Sequence, residues 1–185
     1  FMCSAMALAQ EAGTIISLDG GAQRYDEEMK SITESSHIAI VARDYAEKYT
    51  GTTNLEEACH IIHDRGALIA GVTDGANGSY FVWPDGTFYR CQAFPQEYVV
   101  DTTGAGDSFH GAFLSKLVTL LRELAPVEGL KTSTYAIDLL QHCGHSDLEK
   151  TAIFASAVAA LNTQGIGGRS ALPSLQVVNK LMGLE

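Results

Sequence analysis

Residues 99–113 read VVDTTGAGDSFHGAF, and they place three small residues, Gly104, Ala105 and Gly106, directly before an acid, Asp107. Glycines there let the backbone bend sharply and let a guest approach the main chain. A following helix adds unpaired N–H groups and the positive end of its dipole. That combination is an anion site. A carboxylate beside it repels the guest that the amides attract, so Asp107 needs a task of its own and is a candidate catalytic residue. The plain alternative, a tight connection into a helix, leaves Asp107 unexplained. The stretch follows the β-prone run EYVV and opens a long helical pattern, AGDSFHGAFLSKLVTLLREL, with Phe109, Ala112, Phe113, Leu117 and Leu120 on one face. This is the setting a phosphate loop requires.

The elements around it alternate. The chain opens on a helical pattern with Met2, Met6, Ala9 and Ala12 near helical spacing, followed by GTIISLDGG, which has the profile of a buried parallel strand feeding a loop. A polar helix over about Asp26 to Glu34, the strand HIAIVA, a short helix closed by Gly51, a helix capped by Thr53 or Asn54 and stopped by Gly66, and the strand ALIAGVT come next. Alternation of helix and apolar strand predicts an α/β fold with a parallel sheet. Two aromatic-rich alternating runs flank Pro84-Asp85-Gly86, a strong hairpin signal. Ala125 to Gly144 reads as a connecting excursion that holds a short helix, YAIDLLQHC. SDLEKTAIFASAVAALNTQG follows as a helix with Ser146 and Glu149 in capping-box spacing, and SLQVVNKLMGL is a closing amphipathic helix.

Composition narrows the options. The 185 residues suit one domain with its own core. A net charge of −10 with only 12 Lys and Arg argues against a sequence-independent grip on nucleic acid. No apolar run approaches the roughly 20 residues of a membrane span, and the first residues lack the basic start of a signal peptide. Four scattered cysteines, Cys3, Cys59, Cys91 and Cys143, match no zinc or redox spacing, which favours free thiols and a cytoplasmic setting.

The stretch Asp101, Thr102, Gly104, Ala105, Gly106, Asp107, Gly111 and Ala112 resembles the second signature of the PfkB (ribokinase-like) carbohydrate kinase family. The resemblance implies a ribokinase-like three-layer α/β/α fold with a mainly parallel sheet and a β-hairpin. It also implies ATP-dependent phosphorylation of a sugar hydroxyl, with magnesium and a monovalent ion such as potassium. Carried over residue by residue, Asp107 is the catalytic base and the Gly104, Ala105 and Gly106 amides form the anion hole. GVTDGANGSYF resembles the family's strand and turn along the nucleotide phosphates, which makes Thr73, Gly75 and Gly78 nucleotide candidates. FASAVAALNTQGIGGRSALPS resembles its late helix and loop, with Ala159 and Asn162 as further nucleotide candidates and Asp101, Thr103 and Gly167 as ligands of the monovalent cation. The order of the Pro-Asp-Gly hairpin, Ala-Phe-Pro and Val-Val-Asp-Thr is most similar to ketohexokinase-like members, which points to a ketose or related sugar.

Two departures from that pattern stand out. The Asn-x-x-Glu pair that many members use near magnesium and phosphate is replaced by Ala42 and Tyr45, and the excursion Ala125 to Gly144 is longer than usual. Nothing in residues 1–185 resembles the family's sugar-binding half and β lid. The expectation is therefore one partial domain, the C-terminal nucleotide-binding and catalytic part, with the N-terminal half and lid missing. Such a piece is expected to be inactive alone and to associate with itself or with that half. The rival reading is a non-catalytic nucleotide-binding or interaction remnant. His142, Cys143 and His145, like His60 and His63, lack a second cluster of metal-ligand spacing and read as helix faces and ends. Trp83, Tyr80, Phe81, Phe88 and Tyr89 read as hairpin packing rather than a base-stacking platform.

Overall fold

The structure is a computed structural model that describes residues 2–125 and 134–184. Five strands form one sheet in the order β1-β2-β3-β4-β5. The strands are β1 (Ser17–Gly20), β2 (Ile38–Ala42), β3 (Ile69–Thr73), β4 (Ser79–Val82) and β5 (Phe88–Cys91). β1, β2 and β3 run parallel, in a register that sets Ser17 beside Ile38 and Ile38 beside Ile69, while β4 and β5 add antiparallel. The helices are α1 (Met2–Glu11), α2 (Glu27–Glu34), α3 (Arg43–Thr50), α4 (Leu55–Asp64), α5 (Ala105–Leu124), α6 (Thr134–Gln141), α7 (His145–Asn162) and α8 (Leu175–Leu181).

The two-residue period of the strands sorts the core into two halves. Ile38, Ile40, Ile69, Phe81 and Trp83 face Phe109, Phe113 and Leu117 of α5 and Leu148, Ala152 and Ala155 of α7. Ala39, Val41, Ala70 and Val72 face the other way, onto Tyr45 and Tyr49 of α3 and Ala58 and Ile62 of α4. Three layers result, helices on both faces of one sheet. Phe81 anchors the first half, with ring centroids 4.8 Å from Trp83 and 5.6 Å from Phe113. These aromatics are hairpin and core packing, since Phe81 and Trp83 are fully buried.

Local chemistry starts and stops several elements as the sequence indicates. Asp26, Asn54 and Ser174 each cap a helix through the side chain, and Gly51 closes α3 in the left-handed region. The hairpin turns at Pro84-Asp85-Gly86, where Gly86 N–H donates to the Trp83 carbonyl at 2.9 Å and Asp85 accepts from Thr87 N–H at 3.0 Å.

Three expectations are corrected. The run EYVV is not a strand: among the described residues it meets no neighbouring strand, and Tyr98, Val99 and Val100 are 71, 58 and 55% exposed. Its β propensity goes unused because propensity needs a partner. α7 begins at His145 with Gly144 as N-cap and no side-chain cap, so the Ser146 capping box does not form. His145 Nε2, on the first residue of the helix, instead meets the Asp85 carboxylate of the hairpin at 2.5 Å. β1 is half-buried rather than buried, because among the described residues it has a strand on one side only. Of the excursion, α6 is described, and residues 126–133 lie outside the described residues.

Candidate active site

The parallel strands β1, β2 and β3 end along one edge of the sheet, the position where open α/β sheets bind their ligands, and α5 meets β1 through Ser17 and His110. The start of α5 is built by a backbone clamp. Asp101 accepts from the Thr103 N–H at 2.8 Å with one carboxylate oxygen and from the Gly167 N–H at 2.8 Å with the other. These two bonds hold its carboxyl below the usual carboxylate range. The Thr163 carbonyl accepts from both Val100 and Asp101 N–H, at 2.8 and 3.2 Å. The segment before the glycines is thereby tied to the loop after α7.

Gly104 makes the bend. It is the N-cap of α5 at φ +75°, and a Cβ on it would lie 2.5 Å from the Gly168 Cα. No other residue fits that approach. Gly168 is held in turn by Asn162, whose Nδ2 donates to the Gly168 carbonyl at 3.3 Å. Beyond the bend, the Ala105 N–H donates to the Thr102 carbonyl at 3.1 Å. The N–H groups of Gly106 and Asp107 meet no acceptor among the described residues. Of the expected set the Ala105 amide is already used, whereas the Gly104 N–H, like those of Gly106 and Asp107, meets no acceptor among the described residues. Gly106 lies in open space, and Asp107 is exposed one turn before the buried His110.

The remaining candidates divide by position. Thr73 ends β3 half-buried, with its hydroxyl 3.4 Å from the Val41 carbonyl, and Gly75 at φ +53° faces open space. Gly78 has a packing reason instead, because a Cβ there would stand 2.1 Å from the Cys91 carbonyl oxygen. Asn162 is fully buried, with its Oδ1 lacking a partner, so it shapes the loop from behind. Ala159 is half-buried against the core. Asp101, Thr103 and Gly167 are brought together, yet the groups that meet are a carboxylate and two N–H donors. A cation at this loop would have to be held by the carboxylate's remaining lone pairs and by carbonyls.

Ala42 has no ligating side chain, and the buried Tyr45 hydroxyl is spent on Thr33 at 2.7 Å. Among the described residues no group of three or more His, Cys, Asp or Glu side chains is placed to hold a metal. The discounted histidines have local partners: His142 Nδ1 pairs with the Asp138 carbonyl and His63 Nδ1 with the Ala67 carbonyl, both at 2.8 Å. Cys59, Cys91 and Cys143 are free and buried.

Asp19, at the end of β1, escaped the sequence reading. Ser17 Oγ lies 3.0 Å from His110 Nε2, and two residues further along the strand Asp19 stands near Asp107, one helical turn before His110. Burial and the neighbouring Asp107 raise the affinity of Asp19 for its proton against the opposing pull of His110 and Arg24. The only sequence signal was an acid at the carboxyl end of an apolar strand.

Fold and site together define an α/β protein that presents open amides and an exposed carboxylate at the ends of parallel strands. The chain belongs to the pfkB family of carbohydrate kinases, whose family pattern matches residues 2–175. It is 33% identical over 103 residues to an uncharacterized sugar kinase of Dictyostelium discoideum, covering 56% of this chain and 22% of that protein. It is 33% identical over 124 residues to fructokinase-2 of Solanum lycopersicum, covering 62% of this chain and 37% of the other. A solved fructokinase double mutant from Vibrio cholerae O395, bound to fructose, ADP and potassium ion, superposes with a TM-score of 0.73 at 21% identity, over 100% of this chain and 55% of that one. The fold is thus ribokinase-like, and the chain spans about half or less of the length of these relatives. No helix among the described residues is long and apolar enough to cross a membrane.

Proposed function

We propose that residues 1–185 carry, as one unit, the nucleotide-binding and catalytic part of an ATP-dependent kinase that phosphorylates a hydroxyl of a ketose or related sugar. The observation that carries this reading is the exposed Asp107 beside the open N–H groups of Gly106 and Asp107 at the start of α5. The Asp107 carboxylate takes the proton of the acceptor hydroxyl as the hydroxyl oxygen bonds to the γ-phosphorus. The bond from that phosphorus to the bridging oxygen breaks, and its electron pair leaves with ADP. The amides and the helix start stabilise the charge on the transferred group, which is where most of the catalysis in phosphoryl transfer lies.

Thr73 and Gly75 suit the nucleotide phosphates by position, while Gly78, Ala159 and Asn162 shape the walls. Magnesium would be held chiefly by the phosphates and water, as is usual for this ion, because Ala42 and Tyr45 offer it nothing. It would neutralise phosphate charge. A potassium ion fits less directly, because Asp101 already accepts two N–H bonds. The fructokinases among the relatives support a ketose acceptor. The three free thiols suit a reducing, cytoplasmic setting, and the half-exposed edge of β1 suits association with another copy or chain.

The test is Asp107→Asn in the full-length protein. Turnover should fall by about 10²–10⁴ with nucleotide affinity preserved. Near-normal sugar phosphorylation by that variant would refute the assignment and leave the turn as an anion site in a binding protein.

A further inference from the structure

The kinase reading uses Asp107 and leaves a buried histidine, one helical turn further along α5, without a task. His110 is 8% exposed, and its Nε2 lies 3.0 Å from the Oγ of Ser17, the first residue of β1. Its Nδ1 meets no partner among the described residues, so the Ser17 hydroxyl is the one polar contact of the ring there. A phenyl ring would fill such a place without burying an unpaired nitrogen, and the contact with Ser17 is what the histidine adds. Ser17 pairs with Ile38 in the sheet register, and Ile38 belongs to the face on which α5 packs, so the alternation of the strand turns the hydroxyl toward the helix. Elsewhere α5 meets the sheet through apolar side chains, Phe109, Phe113 and Leu117. Apolar packing is not directional and leaves a helix some freedom to roll, whereas a hydrogen bond weakens steeply when its angle or length changes. Two points therefore hold the beginning of α5. Gly104, three residues before Asp107, lies against Gly168, and His110, three residues after it, is bonded to Ser17. Residues three apart on a helix share a face, so Asp107 and His110 lie on one side of α5.

We propose that Ser17 and His110 are positioning residues for Asp107: their hydrogen bond fixes the roll of the first two turns of α5 against β1 and thereby aims the Asp107 carboxylate at the acceptor hydroxyl. The inference rests on the assignment of Asp107 as base. The two anchors divide the work. The contact of Gly104 with Gly168 holds the turn and its open amides, and it does not involve Ser17 or His110. The bond to Ser17 governs the acid that follows the turn. Its loss is therefore felt in turnover and not in nucleotide binding, since a displacement of about 1 Å at a reacting group costs up to about 100-fold in rate.

The experiment uses the full-length protein with ATP and fructose. Ser17→Ala and His110→Phe should each lower kcat by about 10-fold to 100-fold and leave KM for ATP unchanged. Because both remove the same bond, the double variant should be no slower than the slower single one. Ser17→Thr, which keeps the hydroxyl, and His110→Gln, whose amide N–H reaches the place of Nε2, should restore most of kcat. A parent-like kcat in Ser17→Ala, losses that multiply in the double variant, or a loss that Ser17→Thr does not rescue would each overturn the proposal. Amide exchange gives a reading that needs no acceptor sugar. In Ser17→Ala it should accelerate over residues 108–111 and stay as in the parent at Thr103 and Gly167, which the Asp101 carboxylate protects. Unchanged exchange over 108–111 overturns the proposal as well. The outcomes separate from those of the kinase reading. Near-normal activity in Asp107→Asn refutes Asp107 as base whatever Ser17 does. An inactive Asp107→Asn beside a parent-like Ser17→Ala removes only the role of the pair.

Discussion

Gly104 and Gly106 stand two residues apart in the same turn, and the structure gives them opposite tasks that a pair of alanine substitutions separates. Gly104 sits at φ +75°, and a Cβ there would meet Gly168 at 2.5 Å from its Cα and 2.8 Å from its carbonyl oxygen. An L residue in that backbone region costs about 1–2 kcal/mol. The collision is with backbone, so the 163–170 loop must also shift and strain the bond from Asn162 to Gly168, a loss of about 1 kcal/mol. Gly104→Ala should therefore destabilise by about 2–3 kcal/mol, a drop in Tm of about 4–12 °C for a chain of this size. Gly106 is helical, and a Cβ there meets nothing within 4 Å. Gly106→Ala should be neutral or stabilising by up to about 1 kcal/mol, as glycine-to-alanine changes in helices are. Its methyl would instead stand in front of the open amides, and ATP affinity measured by calorimetry should fall at least about tenfold, or about 1.4 kcal/mol. Urea unfolding and calorimetry on both variants read the two effects apart. Gly106→Ala with undiminished ATP binding would refute the anion site, and Gly104→Ala as stable as the parent would refute the packing of the turn on Gly168.

Asp101→Ala releases the Thr103 and Gly167 N–H groups together, so amide exchange at both should accelerate without change at the core strands; protection retained at Gly167 would show that the clamp is not what holds the loop. Phe113→Ala removes a fully buried ring stacked on Phe81 and should cost about 3–5 kcal/mol in urea unfolding. His37 Nδ1 accepts the Ile16 N–H at 3.0 Å, and burial lowers its proton affinity. Below pH about 6.5 the unfolded chain takes up that proton first, so stability falls as pH drops from 6.5 toward the lower folded value. His37→Ala should lose less stability than the parent between pH 7.5 and 5.5, and equal losses would refute the link.

What the sequence made legible is what lies close together along the chain. Asp107 beside its glycines, the Pro84-Asp85-Gly86 turn and the apolar runs of β2 and β3 each contain their own explanation within a few residues. The site as built does not. Its first wall, Asp101 to Gly104, is held by Thr163, Gly167 and Gly168, and neither glycine announces from its neighbours that Asp101 or Gly104 will lie against it. The same distance hides Asp19, which stands near Asp107 because β1 and α5 pack in the register that brings Ser17 to His110. Distance in sequence also explains the errors. EYVV has the composition of a strand and no neighbour to pair with, and Ser146 has the spacing of a cap but yields to a contact between His145 and a hairpin formed far earlier in the chain. In each case the tertiary surroundings, a missing partner strand in one and a contact in the other, override a local preference worth about 1 kcal/mol. The proposed chemistry is therefore split in the same way: the identity of the base is written in one short motif, whereas the turn that presents it is held by a loop some sixty residues further along the chain.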